Sequence, residues 1–231
     1  MSNKKVILIL GMHRSGTSAV TRVLNICGAS LPVALLKPIP GVNDRGFWEP
    51  RNINAIHEDL LRSLGSGWDD IGRIPEQWFQ SDEAASYREM LLHVLESDYG
   101  NESLIVVKDP RMCRLVPLWE SLTEKYHAEP AAVVVVRNPL EVAESLKLRD
   151  GFTRQKSLLL WLRHFIDAEY ATRSMKRTFV GFEQLLNNWK GVVNQVSRDL
   201  DITWPVKKSE CAEFIDEYLA PSLRHHVYCD T

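Results

Sequence analysis

The sequence predicts an α/β fold, with a central parallel sheet covered by helices on both faces, in one domain spanning residues 1–231. Three observations predict it. Short runs of strand length, Val6–Leu10, Leu104–Val107, Ala131–Val136 and Thr178–Gly181, alternate with longer segments whose apolar residues recur at helical spacing. The first run passes directly into a glycine-bracketed loop and then a helix. Three cations, Arg14, Lys108 and Arg137, follow the ends of the first three runs, on the edge where sheets of this kind bind ligands.

Composition narrows the field. At 231 residues, with 45% apolar and 25% charged residues, the chain can bury one sizeable core. A formal net charge of −2 provides no chain-wide attraction for nucleic acid or acidic membranes, so neither is an expected partner and any anion site needs local cations. Cys27, Cys113, Cys211 and Cys229 form no C-x-x-C pair, which predicts reduced thiols in a cytoplasmic setting. The N-terminal apolar run is too short for a signal-peptide core, and Leu158–Leu162 falls far below the ~20 residues of a membrane span.

The elements follow in order. Val6–Leu10 is a strand apolar on both faces; Thr17 onward is helical, with Ala19, Val20, Val23, Leu24 and Cys27 inward. A short strand is expected around Leu31–Leu36, then loop through Pro38, Pro40 and Gly41. Ile53, Ile56, Leu60, Leu61 and Leu64 mark a helix capped by Asn52 or Asn54. Residues 65–81 show no periodicity, the mark of a functional lid or partly ordered loop. Ser81 caps a helix to Tyr99, and Leu104–Val107 is a strand stopped by Pro110. A helix through Leu115, Leu118, Trp119 and Leu122 precedes the strand Ala131–Val136, and Pro139 opens the next helix. Thr153–Ser174 is a long helix, Thr178–Gly181 the final strand, Glu183–Leu200 an amphipathic helix and Glu210–Leu219 a small terminal one.

The wording of the first loop restricts its chemistry. Gly11, Gly16 and Ser18 fit the register G-x-x-x-x-G-K-[ST], but Thr17 holds the lysine position and the cation has moved to Arg14. Such a loop still cradles a phosphate on backbone N–H groups at a helix N-terminus, giving a P-loop-like three-layer fold. It is poorly built for ATP hydrolysis, where the lysine serves the β/γ-phosphates. Further along, Arg137 and Ser145 bracket R-N-P-L-E-V-A-E-S, which lets a guanidinium and a hydroxyl two helical turns on approach one phosphate.

Three stretches resemble the sulfotransferases that use 3′-phosphoadenosine 5′-phosphosulfate (PAPS), particularly bacterial members and the tyrosylprotein branch. G-M-H-R-S-G-T-S, Gly11–Ser18, is similar to the family's 5′-phosphosulfate loop. Arg137–Ser145 is similar to its 3′-phosphate motif, and V-K-D-P-R, Val107–Arg111, to the stretch whose lysine approaches the sulfonate. The resemblance implies that His13, Arg14, Ser15, Gly16, Thr17, Ser18, Arg137 and Ser145 hold PAPS as co-substrate. It also implies that Arg14 and Lys108 stabilise developing charge, and that no metal is needed. The base is expected at Glu49 in G-F-W-E, which resembles the branches using a glutamate after the first helix; His57 stands second, ahead of Glu58 and Asp59.

The acceptor is expected to be a small molecule or glycan bound by the variable loops 32–48 and 65–81, where Trp68, Trp78, Asp69 and Asp70 could line a cleft or pin a lid. Two other readings of the residues stand beside this one. The first is a P-loop kinase or nucleotide phosphohydrolase with Asp109 on Mg²⁺; the second is a non-catalytic nucleotide-binding module. His225, His226 and Cys229 read as a solvated tail rather than a metal site.

Overall fold

The computed structural model describes residues 4–41, 43 and 45–219. Four strands, β1 (Lys4–Leu10), β2 (Leu104–Lys108), β3 (Ala128–Val136) and β4 (Lys176–Gly181), form one parallel sheet in the order β2-β1-β3-β4. Among the described residues, eight α-helices surround it: α1 (Thr17–Ile26), α2 (Arg51–Ser63), α3 (Asp82–Tyr99), α4 (Val116–Lys125), α5 (Pro139–Asp150), α6 (Arg154–Ala171), α7 (Phe182–Leu200) and α8 (Lys208–Tyr218).

Side-chain alternation along the strands builds the three layers. Val6, Leu8 and Leu10 of β1 join Ile105 and Val107 of β2 and Ala132 and Val134 of β3 in one core, closed by α2, α3 and α4. Ile7 and Ile9 point the other way, with Val106, Val133 and Val135, into a second core under α1, α7 and α8. Both faces are buried, which is why β1 and β2 read as apolar runs. β1 pairs with β2 on one side and β3 on the other, so the chain crosses in opposite directions from the sheet's centre and leaves a crevice at the carboxyl ends.

Local chemistry explains most boundaries. The Ser81 hydroxyl accepts from the Ala84 amide at the start of α3, Thr153 caps α6 through Lys156, and Pro139 opens α5 behind an Asn138 cap. A helical turn, Pro110–Arg114, separates Lys108 from α4, so the helix expected after Pro110 comes in two pieces.

Three expectations are corrected. Leu31–Leu36 is not a strand: Ser30 makes one bridge to Ile105 and Leu35 one to Pro50, while Pro32 can donate no ladder bond and Val33 is 87% exposed. Neither Asn52 nor Asn54 caps α2, whose cap position is Pro50. Their amides are used elsewhere, Asn52 on Asp98 and Asn54 on Glu49. α7 breaks at Asn188, where φ is −152° and the side chain accepts from the Gly191 amide. His225, His226 and Cys229 lie outside the described residues.

Candidate active site

A cavity of about 960 Å³ opens at the carboxyl edge of the sheet, and Arg14, Lys108 and Arg137 all line it. The loop between β1 and α1 forms its floor. Gly11 and Gly16 are both required there. A Cβ on Gly11 would come within 2.8 Å of the Val135 carbonyl oxygen, and one on Gly16, at φ +89°, within 2.1 Å of the Phe182 ring. The Gly11 amide donates to the Cys113 sulfur at 2.9 Å, tying the loop to the turn after β2. Gly16, Thr17 and Ser18 begin α1, so their N–H groups lie at a helix N-terminus. Thr17, in the lysine position, is 3% exposed at the cavity edge, and its methyl carbon sits 2.9 Å from where a Gly11 Cβ would be.

The cation missing from that position arrives from the next strand. Lys108, at the end of β2, is buried and its Nζ donates to Glu49 Oε1 at 2.5 Å, to the Phe47 carbonyl at 3.0 Å and to Ser18 Oγ at 3.2 Å. Glu49 is itself 4% exposed; Asn54 donates to its other oxygen at 3.1 Å, and Arg111 stands 4.0 Å away. Burial raises the Glu49 pKa above the ordinary carboxylate value, and the Lys108 charge opposes part of that rise.

The two expected phosphate motifs meet across the cavity. Arg14 Nε donates to Ser145 Oγ at 2.8 Å although the residues are 131 positions apart. Arg137 Nη1 donates to the Arg14 carbonyl at 3.1 Å, its Nε pairs with Glu141 at 2.8 Å, and its guanidinium lies 4.9 Å from the Phe182 ring centre. Burial, then Arg149 and Arg137, lowers the Arg14 pKa; cations are crowded at this corner. His13 lines the cavity beside Trp68, at 4.4 Å between ring centres, and its Nε2 is buried with no hydrogen-bond partner. Burial, then Arg111, pushes its pKa well below the usual imidazole value and keeps it neutral. Ser15, fully buried, likewise has an unpartnered hydroxyl.

His57 does not reach the cavity. It is fully buried, its Nε2 accepts from the Trp119 indole at 3.0 Å, and its Nδ1 therefore donates to Asp109 Oδ2 at 3.0 Å. The other Asp109 oxygen accepts from the Arg111 amide at 3.0 Å and the Arg111 guanidinium at 2.9 Å. Burial alone would raise the Asp109 pKa, but Arg111 and His57 outweigh it and hold the carboxylate far below its usual range. Asp109 is thus fully engaged beneath the site, not poised as a Mg²⁺ ligand. Glu58 pairs with Arg111 and Asp59 accepts from Tyr87 at 3.0 Å, so neither faces the crevice as a base.

The segments expected to vary divide in the same way. Leu36, Asn43 and Phe47 line the cavity from the first, and Trp68 from the second. Trp78 is buried in the core, Asp69 pairs with Lys156 at 2.6 Å, and Asp70 accepts from Ser66 and Gly72 within its own loop. The residues that sequence reasoning passed over are Arg149, Phe182 and Cys113. Only Arg149 carried a signal, since it lies four positions after Ser145 on α5. Among the described residues no helix is long and apolar enough to cross a membrane, and no three His, Cys, Asp or Glu side chains gather as a metal site.

No family model and no curated sequence matches the chain. Solved structures do. The sulfotransferase domain of the olefin synthase of Synechococcus PCC 7002 superposes with a TM-score of 0.55 at 17% identity, over 100% of this chain and 91% of that one. A sulfotransferase of Mycobacterium avium gives 0.55 at 16% identity, over 99% and 70%. One of Mycobacterium tuberculosis H37Rv gives 0.51 at 16%, over 94% and 77%. The chain therefore has a three-layer α/β, P-loop-like fold. More particularly, that fold is the one seen in bacterial sulfotransferases.

Proposed function

We propose that this protein is a sulfotransferase that moves the sulfuryl group of PAPS to a hydroxyl or amine of a small-molecule or glycan acceptor by in-line transfer. The observation that carries the reading is the junction of two phosphate-binding motifs across one cavity, Arg14 on Ser145 and Arg137 on the Arg14 carbonyl, with a buried Glu49–Lys108 pair on the same cavity wall.

Each residue then has a task. The amides of Gly16, Thr17 and Ser18, flanked by His13 and Ser15, receive the 5′-phosphate. Arg137 and Ser145 receive the 3′-phosphate, selecting PAPS over nucleotides that lack it. Sulfuryl transfer resembles phosphoryl transfer in having a loose, in-line transition state, so positioning and charge stabilisation dominate. Lys108 turns from Glu49 toward the sulfonate as the bridging S–O bond breaks, and Arg14 supports the oxygen left on the 5′-phosphate. Glu49 takes the proton of the acceptor hydroxyl as its oxygen attacks sulfur, a role favoured by a raised carboxyl pKa. His57 supports this from below by orienting Asp109, which aligns Arg111 beside Glu49.

The kinase or phosphohydrolase reading is disfavoured by Thr17, which leaves no cation at the lysine position, and by Asp109, whose oxygens are already occupied. Thermal shift discriminates between the readings. 3′-Phosphoadenosine 5′-phosphate (PAP) should stabilise the protein without metal. Stabilisation only by magnesium-ATP overturns the proposal, and labelled PAPS with an acceptor panel then tests transfer against a purely nucleotide-binding role.

A further inference from the structure

Arg149 shares a corner of the cavity with Arg14 but has no task in the donor site proposed above. It lies at the end of α5, four residues beyond Ser145 and hence about 6 Å further along the helix. Two contacts hold its guanidinium. Nε donates to Asp150 at 2.7 Å, and the group lies 5.1 Å from the Trp68 ring centre. Its two terminal nitrogens make no hydrogen bond to any described residue, although the side chain is only 19% exposed and lines the cavity. A guanidinium fixed on one side, with its forked edge open to a cavity, is pre-oriented for a planar oxyanion.

Its surroundings tell which oxyanion. Trp68, against which the group lies, belongs to the 65–81 segment, and the Phe152 ring centre is 5.7 Å from that of the indole. Leu148, 72% exposed, also lines the cavity, and the His13 ring packs 4.4 Å from Trp68. Arg137 and Ser145 already serve the donor's 3′-phosphate in the reading above. Resting on that reading, we propose that the Arg149–Trp68 corner is an acceptor subsite, and that the acceptor carries a carboxylate or comparable anionic group, gripped by Arg149, alongside the hydroxyl that is sulfated.

The test is calorimetric binding to the PAP-saturated full chain. The probes are 4-hydroxybenzoate and 4-hydroxybenzamide, which differ in charge and little in shape. The wild-type complex should prefer the carboxylate by about tenfold or more, the range for a charge-assisted pair. Arg149→Gln should erase the preference while PAP affinity stays within twofold, and Arg149→Lys, which keeps the charge but not the fork, should restore only part of it. Equal binding of the two probes by wild type overturns the proposal. So does a tenfold loss of PAP affinity in Arg149→Gln with the preference retained, which would assign the guanidinium to the donor. Failure of wild type to bind PAP at all is a separate result, and defeats the sulfotransferase reading itself.

Discussion

Lys108 Nζ and Glu49 Oε1 lie 2.5 Å apart, each side chain at most 5% exposed, at the cavity wall where β2 ends. The pair joins a group suited to stabilise negative charge to one suited to remove a proton. While they remain paired, neither is fully available. A ligand that draws the ammonium away leaves a buried carboxylate with less compensation and a stronger affinity for protons.

Replacing Glu49 with Gln tests this. Turnover should fall by roughly 10²–10⁴-fold, the usual worth of a positioned general base, with PAP affinity nearly unchanged. In the wild type only the ionised carboxylate accepts a proton, so rate should rise with pH through the raised Glu49 pKa. The acid limb of the profile should therefore sit above the ordinary glutamate value of about 4.3. Full turnover in the variant would move the base elsewhere.

Arg137→Ala should weaken PAP binding by ~1.5–3 kcal/mol, the range for hydrogen bonds to a charged group. AMP, which lacks the 3′-phosphate, should lose less. Titration calorimetry with both ligands gives the comparison, and unchanged PAP affinity removes Arg137 from the proposed site.

Gly16→Ala should destabilise the fold by ~2–4 kcal/mol, because the new Cβ adopts a left-handed backbone and overlaps the Phe182 ring. Pairing it with Phe182→Ala should recover the overlap component, leaving the two substitutions strongly non-additive in denaturant titrations. Additive effects would show that the ring is not what Gly16 accommodates.

Asp109 links the site to acid stability. Its native pKa is depressed, so its contribution is present above the unfolded value of about 3.9 and is lost as pH falls below it. Asp109→Asn should lower stability at neutral pH by ~3–5 kcal/mol, since Arg111 loses a buried partner, and should flatten the decline at low pH. An unaltered acid-unfolding curve would rule out this carboxylate as a source of that decline.

The parts of the fold that were legible are those fixed by continuous local pattern. β1, β2 and β3 are buried on both faces and so announce themselves as apolar runs, and Ser81 caps its helix as expected. Leu31–Leu36 misled because its apolar residues flank a proline and meet the rest of the chain through isolated bridges. Lys108, Glu49, Arg14, Arg137 and Ser145 could be singled out as candidates one at a time, but not their mutual contacts, such as those joining residues 59 and 131 positions apart. His57 shows the same limit from the other side. Nothing in its neighbours' spacing reveals that Asp109 and Trp119 occupy both ring nitrogens. Arg149 escaped notice because the surface that orients it, Trp68, is contributed by an aperiodic segment.

The bond from Arg137 to the Arg14 carbonyl also bears on how the protein comes into being. During synthesis the strand, loop and helix at residues 4–26 emerge before the residues that brace the loop, Lys108 on β2 and Arg137 just past β3. A nascent chain that has not yet reached Ser145 has the loop without all its braces. On the proposed function, nucleotide capture is therefore deferred until the inner sheet has assembled, and ligand binding reports a completed centre rather than its earliest fragment.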